Sequence, residues 1–176
     1  EISRAEDPLF PLALRGFRLG ATAGEGPVPE TPRVLITAHG VSDRERRRLQ
    51  EAGKDILDTT CPLVARVHDA AQRLARDGFF VIVVGRPEHV EVRGIVGDLD
   101  RAEVVAGPEE VRAYDAVRLG VVCQSTTPPW LARDVLDAML TRNPGREIRY
   151  VDTICRPTRE RQDALVDLLS RVEALV

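Results

Sequence analysis

The sequence predicts an α/β fold built on parallel sheets, and three observations carry that prediction. From residue 33 onward, short apolar runs alternate with stretches of helical periodicity. The run Phe79–Val84 (FFVIVV) is apolar throughout, as a strand covered on both faces should be. The frame Asp58-Thr59-Thr60-Cys61 recurs 94 positions later as Asp152-Thr153-Ile154-Cys155. Each copy lies between an expected strand and an expected helix, and an offset of domain length indicates duplicated α/β units.

The elements follow in order. Residues 1–32 are rich in Gly and Pro and read as loop with at most one short helix. Arg33–Thr37 (RVLIT) reads as a buried strand. Ser42 with Glu45 forms a capping box, so a helix runs to Ala52 and stops at Gly53. Asp55–Asp58 is a short strand. Pro62 opens a helix with Val64, Val67, Ala71 and Leu74 on one face, ended by Gly78. After the Phe79–Val84 strand, residues 89–97 form a short helix or loop, Val104–Val105 a minor strand and Pro108–Val111 a helical turn. Arg118–Cys123 is a strand. Pro128 and Pro129 open a helix to Arg142 that turns Leu131, Val135, Leu136 and Met139 inward. Ile148–Val151 is a strand, and 158–176 a helix expected to turn Leu165, Leu168, Leu169 and Val172 inward. Parallel strands joined in this way require right-handed crossovers.

Composition narrows the function classes. The 176 residues are 43% hydrophobic and 30% charged, an ordinary globular balance. The net charge of −3 gives no basic footprint for nucleic acid. Arg44, Arg46, Arg47 and Arg48 stand beside acidic residues and read as the solvated face of a helix. No apolar run approaches the roughly 18 residues of a membrane span. The three cysteines are an odd, widely spaced set that does not form a disulfide framework, so a reducing, cytoplasmic compartment is expected. The chain opens on Glu1 rather than Met, which suggests a fragment.

The candidate chemistry gathers at strand ends. A cysteine between a strand and a helix sits where open α/β folds bind ligands, and the helix N-terminus favours its thiolate. Cys61 and Cys155 both hold that place and could point at one centre; the alternative is that both are small buried hydrophobes. His39, His89 with Glu91, and Gln124-Ser125-Thr126-Thr127 each follow a strand at the same end. Imidazoles, hydroxyls and helix N-termini there make an anion site suited to phosphate, and a carboxylic acid beside them could deliver a proton. An extended backbone would put His89 and Glu91 on one face. His68, inside a helix, reads as structural, and Cys123 as a buried strand residue.

Taken together, Ala38-His39-Gly40-Val41-Ser42, Asp58-Thr59-Thr60-Cys61-Pro62-Leu63-Val64, Val67-His68, His89-Val90-Glu91-Val92-Arg93-Gly94, Gln124-Ser125-Thr126 and Cys155 with Arg161-Gln162 resemble the 4-hydroxy-3-methylbut-2-enyl diphosphate reductase family. The intervals agree as well: 22 residues from His39 to Cys61 and 28 from Cys61 to His89. The resemblance implies three α/β units about a pseudo-threefold axis, a trefoil arrangement with one unit complete here (61–150) and two partial (33–60 and 151–176). It implies a [4Fe–4S] cluster with Cys61 and Cys155 as two of its ligands. His39, His89, Ser125 and Thr126 would bind the diphosphate substrate. Glu91 would supply the proton through Ser125, which stands where the family has Thr. The implied reaction is a two-electron reductive dehydroxylation in isoprenoid precursor synthesis, giving isopentenyl and dimethylallyl diphosphates. An electron donor protein such as ferredoxin or flavodoxin is implied too. The family's Phe-Cys-Ala-Gly-Val segment has no counterpart here, and its Ser-x-Asn motif would fall past Val176.

Two other readings compete. Cys155 and Arg161 make the C-x5-R frame of a cysteine phosphatase, although Pro157 removes a donor from the loop. A non-catalytic relative would keep the fold and bind a diphosphate without turnover.

Overall fold

The computed structural model describes residues 26–174. The expected loop and helix over residues 1–25, and the last two residues of the expected C-terminal helix, lie outside them.

Two parallel sheets organise the described chain. β1 (Arg33–Ile36) pairs with β2 (Asp55–Asp58), Leu35 opposite Leu57. The larger sheet has four strands in the order β4-β3-β5-β6: β3 (Phe80–Val84), β4 (Ala102–Val105), β5 (Arg118–Cys123) and β6 (Glu147–Val151). Every pairing in both sheets is parallel. Four α-helices link strands, α1 (Asp43–Glu51), α2 (Pro62–Arg76), α3 (Val90–Val96) and α4 (Pro129–Arg142), a 3-10 turn at Pro108–Glu110 joins β4 to β5, and α5 (Arg156–Leu169) follows β6.

The core lies on both faces of the larger sheet, which is why its central strands are apolar at every position. Ile82 and Val84 of β3 pack with Val121 of β5 against Val135 and Met139 of α4. Their neighbours Val81 and Val83 turn the other way, onto Val67, Ala71 and Leu74 of α2 and Val92 and Ile95 of α3. Each fully buried aliphatic side chain of this kind stabilises the fold by about 1.5–3 kcal/mol. Gly120 on β5 admits the α2 helix, since a methyl group there would come within 3.0 Å of Leu74.

The smaller sheet is tied to the larger one through Asp98. Its carboxylate accepts from the backbone N–H of Asp43 (2.8 Å) and of Arg44 (3.0 Å), capping the N-terminus of α1 from the loop after α3. Gln72 of α2 donates to both Asp43 and Asp98 and closes the junction.

Three expectations need correction. The strand at Arg33–Ile36 is not buried: Arg33 and Leu35 are exposed and only Ile36 is buried, because this two-stranded sheet is covered on one side alone at that position. The C-terminal helix begins at Arg156, with Cys155 as its N-cap, and its apolar stripe faces solvent: Leu165 is 40% exposed and Leu168 and Leu169 are 50% exposed. The stripe has the right period, but no described element packs on it. Glu91 is not in an extended stretch with His89. His89 is the N-cap of α3, its Nδ1 accepting from the Glu91 N–H at 3.2 Å, and Glu91 lies in the first helical turn. The imidazole satisfies a backbone donor that an N-terminal turn leaves without an intrahelical partner.

Candidate functional site

The two copies of the repeated frame fold alike, and their hydrogen bonds explain the choice of residues. In each, the aspartate takes the N–H two residues on: Asp58 from Thr60 (2.9 Å) and Asp152 from Ile154 (3.2 Å). In each, the next threonine donates its hydroxyl to the last residue of the neighbouring strand, Thr59 to the Ile36 carbonyl and Thr153 to the Cys123 carbonyl, both at 2.6 Å. In each, the cysteine N–H then bonds a carbonyl just beyond that strand, Cys61 to Ala38 (3.0 Å) and Cys155 to Ser125 (2.9 Å). Cys61 and Cys155 thereby become the N-caps of α2 and α5, each with a proline in the first turn. Both thiols are free and half-buried.

These turns reach directly into the polar loops. Ala38, which holds Cys61, precedes His39, whose ring meets that of His89 edge-on with centroids 5.3 Å apart. Gly40, at φ +72°, allows this turn; a methyl there would come within 3.0 Å of Thr60. Ser125, which holds Cys155, donates its N–H to one oxygen of Glu91 (2.7 Å) and its hydroxyl to the other (2.9 Å). Glu91 is only 1% exposed, yet both of its oxygens are satisfied. The structure therefore joins His39 to His89 and Glu91 to Ser125, and connects both pairs through backbone bonds to the two cysteine turns. Thr126 is exposed and receives a bond from the Gln124 amide at 3.1 Å.

Burial holds the His89 imidazole below its ordinary pKa, with His39 and Arg86 acting in the same direction and Glu91 opposing them. A cavity of about 280 Å³ opens beside His89 and Thr126, lined also by Gly85, Arg86, Gln124 and Thr127.

Two residues enter the site that the sequence did not single out for it, Thr158 and Arg86. The Thr158 hydroxyl lies 3.0 Å from the Cys155 sulfur and 3.3 Å from the Ser125 carbonyl. Its spacing three residues after an N-cap was the available signal. Gln124 accepts from the Arg86 N–H at 3.2 Å and orders the loop after β3. Arg86 itself lines the cavity. Cys123 is fully buried and desolvation pushes its thiol up to about 12, as expected of a strand residue.

Thiolates suit iron–sulfur chemistry, and both cysteines are half-exposed at helix N-caps without a side-chain bond to the helix backbone, Cys155 with its sulfur against the Thr158 hydroxyl. They fit part of a cluster site. Among the described residues no group of three or more His, Cys, Asp or Glu is arranged to hold a metal ion. The C-x5-R reading fails on geometry. Residues 156–160 are helical rather than a phosphate-wrapping loop, and Arg161 lies exposed in the second turn, about 9 Å along the axis from Cys155.

The fold and these loops define a parallel α/β protein that gathers thiols, imidazoles and a buried carboxylate at its strand ends. Comparisons with known proteins narrow that class. A family described as LytB protein matches residues 12–176. The 4-hydroxy-3-methylbut-2-enyl diphosphate reductase of Acinetobacter baylyi is 33% identical over 157 residues, 85% of this chain and 50% of that protein. The protein of the same name from Geotalea daltonii is 37% identical over 145 residues, covering 81% and 51%. The solved structure of an (E)-4-hydroxy-3-methyl-but-2-enyl diphosphate reductase superimposes with a TM-score of 0.66 at 31% identity, covering 80% of this chain and 51% of that one. The Plasmodium falciparum E-1-hydroxy-2-methyl-but-2-enyl-4-diphosphate reductase gives a TM-score of 0.70 at 25% identity, covering 79% and 45%. The chain belongs to the LytB protein family. It spans about half the length of the curated relatives it matches.

Proposed function

We propose that this chain forms part of a reductase that converts 4-hydroxy-3-methylbut-2-enyl diphosphate into isopentenyl and dimethylallyl diphosphates by reductive dehydroxylation. The observation that carries the reading is the continuous set of contacts from the Cys61 turn through His39 and His89, and from Glu91 through Ser125 to the Cys155 turn. Thiols, imidazoles, an acid and a hydroxyl are held by one another rather than scattered over the surface.

Each residue has a role in this reading. Cys61 and Cys155 are two ligands of a [4Fe–4S] cluster, which when bound supplies the electrons. His39 and His89 hold the diphosphate, with Thr126 and the Ser125 hydroxyl as further donors. In the structure the Ser125 hydroxyl donates to Glu91 Oε2 at 2.9 Å; once Glu91 is protonated, that hydroxyl passes its own proton to the departing hydroxyl and takes the carboxyl's proton in exchange. Burial of Glu91 keeps bulk water from competing for that proton. The larger sheet, about residues 61–150, is the central unit of a pseudo-threefold trefoil, with 33–60 and 151–176 parts of its neighbours. The reaction needs an outside electron donor such as ferredoxin or flavodoxin, and a reducing cytoplasm suits the free thiols. No described helix is long and apolar enough to cross a membrane.

The test is anaerobic iron–sulfur reconstitution of the complete protein, then assay with 4-hydroxy-3-methylbut-2-enyl diphosphate and a viologen reductant. Formation of the two C5 diphosphates is expected. Substrate binding without products, in a protein with an intact cluster spectrum, would instead establish a non-catalytic binding relative.

A further inference from the structure

The two cysteine turns share their backbone bonds and differ in the side chain that follows. Three residues after Cys61 stands Val64, and three residues after Cys155 stands Thr158. Each lies in the first turn of the helix that its cysteine caps, and both are buried, at 5% and 7% exposure. Valine and threonine have nearly one shape and differ by a hydroxyl, which when buried has to find a partner.

The Thr158 hydroxyl has two partners and one proton to give. Its Oγ1 lies 3.0 Å from the Cys155 sulfur and 3.3 Å from the Ser125 carbonyl. While the sulfur carries a proton, the thiol donates to Thr158 and Thr158 donates to Ser125, so each group is satisfied. A thiolate has no proton to give, and the same hydroxyl turns to donate to it. That rotation does not orphan the Ser125 carbonyl, because it also accepts the Cys155 N–H at 2.9 Å. Val64 can offer Cys61 no such donor.

We infer that Thr158 is a positioning residue for the Cys155 sulfur: its hydroxyl donates to that sulfur as a metal-bound thiolate, makes the two cysteine ligands electronically unequal, and raises the reduction potential of the cluster. A donor on a ligand sulfur withdraws negative charge and so favours the reduced, more negative state. Thr158 acts through Cys155 and not on the substrate. The inference rests on the proposed cluster at these cysteines and adds which of the two ligands the fold tunes.

Thr158→Val places the residue of the first turn in the second, so the helix and its packing are expected to hold, and Thr158→Ser restores the hydroxyl. An EPR-monitored redox titration of the reconstituted complete protein should give Thr158→Val a lower midpoint potential than wild type, with Thr158→Ser close to wild type. In the metal-free 176-residue chain, Cys155 should exchange with a disulfide reagent about two- to threefold more slowly in Thr158→Val, with Cys61 as the internal reference. The hydroxyl favours the reacting thiolate more than it dulls its nucleophilicity. A wild-type midpoint potential in Thr158→Val, or a lowered one that Thr158→Ser fails to restore, would overturn the role of the hydroxyl and leave the cluster reading standing. An unchanged exchange rate at Cys155 would overturn it as well. Complete wild-type protein that forms no cluster on reconstitution would remove both.

Discussion

Ser125 grips Glu91 with two hydrogen bonds, the backbone N–H on one carboxylate oxygen at 2.7 Å and the hydroxyl on the other at 2.9 Å. The two residues are 34 positions apart and meet because β3 and β5 are adjacent parallel strands, so the loops at their carboxyl ends lie side by side. A carboxyl held in this way has its orientation set before any substrate arrives, as general acid catalysis requires.

Glu91→Gln tests that arrangement. The amide keeps one acceptor for Ser125 and removes the transferable proton. Turnover in the complete, cluster-loaded protein is expected to fall by about 10²–10⁴-fold with substrate affinity nearly unchanged. Activity within threefold of wild type would exclude Glu91 as the donor. Ser125→Ala keeps the backbone bond and removes the relay hydroxyl, so it should lower kcat while the fold holds.

Thr153 is the structural counterpart of this pair. Its hydroxyl accepts from the Cys123 N–H at 2.8 Å and donates to the Cys123 carbonyl at 2.6 Å, and the residue is 4% exposed. Thr153→Val leaves both backbone groups without that partner. Urea unfolding is expected to show a loss of about 1–3 kcal/mol, the cost of unsatisfied buried groups. Thr59→Val, in the exposed copy of the frame, should cost less. Equal losses in the two variants would show that the copies are equally buried in solution.

The helix faces separate what the sequence encodes from what it leaves open. The stripe of α2 and the continuous apolar runs of β3 and β5 are legible because their partners lie within the described chain. The stripe of α5 has the same period, yet periodicity names a face and not what covers it. Nor could Glu91 and Ser125 be paired from spacing, because their contact depends on strand order. The cysteine turns were legible through the repeat itself. Leu168→Ala on the exposed stripe is therefore expected to change the stability of this chain by about 0.5 kcal/mol or less, whereas Leu119→Ala in the sheet should cost about 2–5 kcal/mol. A large loss at Leu168, seen by denaturant melting, would mean that the stripe is covered in solution.

His68 supplies a pH dependence. From α2 its mostly buried imidazole faces the Asp98 loop, with Nδ1 4.0 Å from the Asp98 carboxylate and Nε2 without a partner. Desolvation lowers its pKa below 6.5, while Asp98, Asp43 and Glu91 pull it back up and Arg46 pushes it further down. The folded state thus binds a proton less readily than the unfolded chain. Stability contributed by the neutral, buried form is fully present above about pH 6.5 and declines as pH falls below that toward the lowered folded pKa. His68→Gln should flatten the stability profile in that window relative to wild type. A profile for the variant as steep as the native one would assign the acid sensitivity to other groups.

The three cysteines should separate by reactivity. Cys61 and Cys155 are half-exposed at helix N-termini, whereas Cys123 is fully buried on β5 with its thiol pushed up to about 12. The thiolate is the reacting species, so burial suppresses Cys123 both by access and by ionisation. Ellman titration of the reduced native chain is expected to label Cys61 and Cys155 promptly and Cys123 only after unfolding. The same contrast extends to iron. In the complete protein, Cys61→Ser should abolish the cluster absorption and Cys123→Ser should leave it intact, because a sulfur sealed between β5 and Tyr150 is not available to a metal. Rapid labelling of Cys123 in the native chain, or loss of the cluster on its substitution, would mean that the ligand set has been drawn on the wrong strand end.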